Sequence, residues 1–95
     1  MILTDATFKN NINDLILVDF WAEWCGPCKA LSNTLKGINN ITIGTLNVDE
    51  NQETSNNYSI RSLPTLIIFK DGKELNRLVG AQSKENILNF IKNNQ

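Results

Sequence analysis

The run "LILVDFWA", residues 15–22, restricts what this chain can become more than any other segment. It has the length of a strand and is apolar throughout except for Asp19. Such a run fits the centre of a sheet covered on both faces, because an edge or half-exposed strand would alternate apolar with polar residues. Immediately afterwards the period changes. Cys28, Leu31, Leu35 and Ile38 fall on one helical face, and Gly37 supplies a stop. The segment "ITIGTLNV", residues 41–48, is β-branched and reads as a second strand. Connection through a helix makes it parallel to the first, giving a βαβ unit.

The flanking segments are read in the same way. Thr4 is placed to cap a short helix carrying Phe8 and Ile12. Asp49 and Gln52 have capping-box spacing ahead of "NQETSNN", which is poor in apolar residues and predicts a weak helix. "TLIIFK" and "KELNRLV" flank Asp71-Gly72, which predicts a β-hairpin with a type I′ turn. Ser83 is placed to cap a final helix whose apolar side holds Ile87, Leu88 and Ile91. A length of 95 residues suffices for one core and not for two. The expectation is therefore a single α/β domain over residues 1–95, with a central mixed sheet between helices on both faces.

Charge and composition exclude several function classes. A net charge of -1 and a pI near 5.2 give no electrostatic reason to expect nucleic acid or an anionic membrane as partner. No segment approaches the roughly 20 apolar residues that span a bilayer, and "MILTDATFKNN" lacks the basic and apolar regions of a signal peptide, so the expected location is cytoplasmic. Histidine is absent, which removes histidine bases and mixed Cys/His zinc sites. The many asparagines are assigned no function.

Residues 19–29, "DFWAEWCGPCK", hold both cysteines, both tryptophans and one of the two prolines. A cysteine at the first turn of a helix and another three residues on lie about one turn apart, within the 4.4–6.8 Å between α-carbons that a disulfide tolerates. The pair can open and close with little backbone motion. Pro27 suits a first helical turn, which needs no N–H from it, and Gly26 leaves the sulfurs approachable. The partial positive charge of the helix N-terminus favours a thiolate at Cys25, which makes it the nucleophile. Cys28 lies on the inward stripe, where burial raises a thiol's pKa, and is the resolving thiol. A zinc site wants four ligands and the chain offers only these two, so no metal is expected. Trp21 reads as a core aromatic and Trp24 as an apolar rim beside the nucleophile.

With "VDFWAEWCGPCK" as strand, turn and reactive helix, the chain resembles the thioredoxin family. "LTDATF", "LNVDEN", "IRSLPTLIIFKDG" and "LVGAQSK" follow in the family's order, so the likeness covers nearly the whole chain. The resemblance implies the thioredoxin fold and a dithiol enzyme that reduces protein disulfides, carrying electrons in redox homeostasis without a bound cofactor. It implies Cys25 as attacking thiol, Cys28 as resolving thiol, Asp19 as buried proton acceptor and Pro64 in cis beside the sulfurs. It also implies a groove of Trp24, Gly26, Pro27, Leu63, Pro64, Val79, Gly80 and Ala81, where an extended peptide pairs as an added strand. The partners implied are disulfide-containing proteins and a thioredoxin reductase as electron donor, with the chain acting as a monomer. Two other readings use the same fold: a binding module that holds partners without turnover, and an oxidant or isomerase, whose known forms typically carry histidine between the cysteines. The chain departs from the family pattern in a shorter Cys28-to-Asn47 stretch, a first strand reduced to "MIL", and Asn33 in place of a helix-bending proline. Thr45 stands where a lysine commonly neighbours the buried acid, which predicts a raised pKa for Asp19.

Overall fold

A computed structural model describes residues 1–95. The elements in chain order are a 3₁₀ turn over Phe8–Asn11, β1 over Ile16–Trp21, α1 over Gly26–Lys36, β2 over Thr42–Asn47, α2 over Gln52–Asn57, β3 over Thr65–Lys70, β4 over Lys73–Val79 and α3 over Lys84–Asn93. The sheet order is β2-β1-β3-β4, with β1 parallel to β2 and antiparallel to β3. This is the mixed sheet predicted from the βαβ unit and the hairpin. The apolar run does sit beside the middle of the sheet, and Ile16 to Phe20 are all buried.

Alternation along β1 and β3 divides the core into two halves. Ile16, Val18, Phe20, Ile67 and Phe69 meet Leu3, Phe8 and Ile12 on one face. Leu17, Leu66 and Ile68 meet Leu31 and Leu35 of α1 and Ile87, Phe90 and Ile91 of α3 on the other. Asp19 shares the second face, because it alternates in phase with Leu17. The interrupting acid therefore points beneath α1.

Turn chemistry behaves as expected at the hairpin. Asp71 and Gly72 adopt φ values of 55° and 78°, the two positive angles a type I′ turn requires. Ser83 Oγ accepts the Asn86 N–H at 3.1 Å and starts α3.

Four local expectations are corrected. The helix after Thr4 is a single 3₁₀ turn; Thr4 holds its approach by accepting the Phe8 N–H at 2.9 Å on its carbonyl. Asp49 does not form a capping box, and α2 begins after Asn51 with no side-chain cap of its own. Its open end is met from the other side by Asp5, whose Oδ1 accepts the Thr54 N–H at 2.9 Å and the Thr54 hydroxyl at 2.6 Å. On α3, Leu88 is 37% exposed and Phe90 takes its place in the core. Residues 87, 90 and 91 share a face at 3.6 residues per turn, whereas residue 88 is rotated off it. Trp21 is only half-buried, at the end of β1.

Candidate active site

The reactive segment is presented by an abrupt change of backbone direction. β1 ends at Trp21, the Cys25 N–H donates to the Ala22 carbonyl at 3.2 Å, and α1 starts at Gly26 with Cys25 as its N-cap. Cys25 and Cys28 are joined as a disulfide, with α-carbons 5.3 Å apart. The Cys28 N–H donates to Cys25 Sγ at 3.2 Å. Cys25 sulfur thus occupies the position of an N-cap acceptor, where the helix end favours negative charge. Both sulfur-bearing residues are nearly closed off, at 4% exposure for Cys25 and 2% for Cys28, while Gly26 and Pro27 between them are exposed. What separates the thiols is the hydrogen bond and the surroundings.

Those surroundings differ by side. Asp19, at 2% exposure, lines one cavity of about 350 Å³ together with Cys28, Trp21, Lys29, Ser32 and Thr45. Burial pushes its carboxyl up to about 7, in the direction the sequence predicted. Thr45 is its direct neighbour on β2 in the sheet register, yet no protein group hydrogen-bonds Asp19 Oδ1. The threonine provides no compensation for the missing cation.

The remaining predicted site residues are gathered by the sheet. Thr65 pairs with Phe20 on one side and Val79 on the other, so the start of β3 and the ends of β1 and β4 lie together. Pro64, buried and in a cis bond after Leu63, stands just before β3. Its carbonyl accepts the Gly80 N–H at 2.8 Å, which ties the loop before β3 to the loop after β4. Gly80 takes φ 88°, open to glycine and strained for other residues. Val79 and Ala81 are exposed next to it, and Leu63 is half-buried. None of these residues lines a cavity.

Trp24 is 72% exposed, and its Nε1–H donates to Asp49 Oδ2 at 2.9 Å. Asp49 is thus part of the site's frame, a role hidden by its capping-like spacing. Nothing within the local sequence links two residues 25 positions apart.

A bonded cysteine pair at the N-terminus of a helix, delivered by a central strand and backed by a buried carboxylate, defines a thiol–disulfide oxidoreductase. The family profile described as Thioredoxin matches residues 1–93. Similar proteins include thioredoxins of Mycobacterium bovis, 45% identical over 94 residues (90% of this chain, 81% of the relative), and of Chlamydia pneumoniae, 44% identical over 95 residues (95% and 93%). A thioredoxin of Alicyclobacillus acidocaldarius is 45% identical over 94 residues (92% and 90%). The chain belongs to the thioredoxin family and is a protein-disulfide oxidoreductase of that type.

Proposed function

We propose that the chain works as a reductant of protein disulfides, with Cys25 attacking and Cys28 resolving. The observation that carries this reading is the Cys28 N–H donating to Cys25 Sγ at the helix N-terminus, which stabilises a thiolate at Cys25 in the opened pair. The Cys25 thiolate attacks one sulfur of the substrate disulfide, and the other substrate sulfur leaves as a thiolate that takes a proton from water. Cys28 gives its proton to the Asp19 carboxylate and attacks Cys25 Sγ, expelling the second substrate thiolate and closing the Cys25–Cys28 disulfide. Two electrons have then passed to the substrate, and a thioredoxin reductase returns them.

Trp24, Gly26, Pro27, Leu63, Pro64, Val79, Gly80 and Ala81 receive the substrate as an extended peptide. Residues 1–95 act as one domain and one copy, because the cysteines, acid and proline all come from a single sheet and its adjoining turns. A reducing role fits the cytoplasm, and no helix is long and apolar enough to cross a membrane.

The test is trapping. A Cys28→Ser variant should accumulate a mixed disulfide through Cys25, and Cys25→Ser should lose disulfide-reducing turnover. In the reduced protein Cys25 should be alkylated much faster than Cys28 near neutral pH. Trapping through Cys28 would reverse the roles, and a parent chain without turnover whose function survives Cys25→Ser would be a binding module.

A further inference from the structure

The face of β1 that carries Asp19 has a second opening. The sheet order places Thr45 of β2 to one side of Asp19, while Pro64 and Val79 belong to β3 and β4 on the other. On the β2 side, two cavities of about 350 and 390 Å³ run between α1 and β2 and share Asp19, Ser32 and Thr45. Each has room for several waters, which need about 30 Å³ apiece, and offers them hydroxyl and carboxyl partners. Asp19 Oδ1 is buried with no protein partner, and buried polar atoms in that condition are ordinarily satisfied by water.

We propose that this crevice is a water-filled proton passage, by which Asp19 exchanges its proton with bulk solvent from the side opposite the substrate surface. Ser32 and Thr45 are its positioning residues. The proposal rests on Asp19 being the proton acceptor for Cys28. When Cys28 attacks Cys25 Sγ, its proton moves to the Asp19 carboxylate, the sulfur–sulfur bond to substrate breaks, and the substrate thiolate departs with the electron pair. The proton then leaves Asp19 through crevice water while the departing substrate still covers the other side.

The titratable and charged groups facing Asp19 and its crevice are few. α1 presents Cys28, Lys29 and Lys36, both lysines being exposed at the rim. β2 and β3 present uncharged Thr45 and Leu66 as direct register partners, and the buried residues of α3 are Ile87, Phe90 and Ile91. Met1 reaches the second cavity, with its amino group donating to the Ile43 carbonyl at 2.8 Å. No carboxylate competes with Asp19 along this path.

The test plugs the crevice from two sides, with Ser32→Met on the exposed surface of α1 and Thr45→Leu on β2. Stopped-flow reaction of the reduced protein with a labelled dialkyl disulfide separates two rates. The concentration-dependent phase reports attack by Cys25, and the plateau reports resolution by Cys28. Each plug should lower the plateau about tenfold at pH 7, a fraction of what a general base contributes, and leave the attack rate within about twofold. Expelling crevice water should also move the plateau's pH midpoint upward by about one unit, since the acid becomes harder to ionise. A plateau and midpoint unchanged in both folded plugs, with Asp19→Asn slow, would overturn the passage and leave the acid's role standing. An unchanged plateau in Asp19→Asn would overturn the acid's role and the passage together.

Discussion

Burial brings the Asp19 carboxyl up to about 7, so the folded protein holds this proton well above the usual carboxylate range. In the unfolded chain it titrates near 3.9. Between those values the folded protein keeps a proton that the unfolded chain has released, so stability is highest at low pH and declines as pH rises through the folded pKa, by up to about 1.4 kcal/mol per unit. Asp19→Asn has no such proton. It should flatten this decline and make the oxidised protein more stable at pH 8 by roughly 2–4 kcal/mol, measured by urea unfolding at pH 4, 6 and 8. Parallel pH profiles would show the acid to be solvated. Thr45→Lys should lower the Asp19 pKa by about 1–3 units, read from NMR titration, if its ammonium comes within about 4–6 Å. This residue was legible in the sequence because a carboxylate in an apolar run needs a chemical reason. The crevice beside it was not, since Ser32 and Thr45 are ordinary polar residues until α1 and β2 set them around one space.

Elements with their own start signals were readable, and elements completed by distant residues were not. Ser83 announces α3 from the sequence, and Ser83→Ala should cost about 1 kcal/mol by thermal or urea unfolding. For α2 the cap is Asp5, held by Thr54 and by its own N–H donating to Asn51 Oδ1 at 2.9 Å. The Thr54 hydroxyl and N–H hold the Asp5 carboxyl below its usual value. Its contribution is therefore present above the unfolded pKa and lost as pH falls through the lower folded one. Asp5→Ala should reduce the melting temperature at pH 7, with the difference from the parent vanishing in strong acid. A difference that persists there would mean that Asp5 acts by packing rather than charge. Capping spacing led instead to Asp49, whose oxygen is engaged by Trp24; a short-range pattern does not see a partner on another loop.

At the scale of the whole molecule, strand order assembles the site, and no local pattern reveals that the starts and ends of β1, β3 and β4 coincide. Only the likeness to a family groups Pro64 and Gly80 with the cysteines; what the sheet adds is the hydrogen bond that joins the two residues to each other. One buried glycine controls how the chain's beginning closes over the sheet. A β-carbon on Gly44 would lie 2.8 Å from Leu3 Cδ1 and 3.2 Å from Ile16 Cδ1, so Gly44→Ala should destabilise by about 1–3 kcal/mol through overpacking. Reversible denaturation would check this, and a neutral effect would mean that Leu3 repacks freely.

That same beginning leaves the sheet with unequal borders. Beside β2, the Leu3 N–H donates to the Thr45 carbonyl at 2.8 Å and the Thr45 N–H to the Met1 carbonyl at 2.9 Å. β4 is the outermost strand at the other border, with nothing paired beyond it. An open border of this kind can take up an extended segment of another chain, or the same border of a second copy, by antiparallel backbone hydrogen bonds.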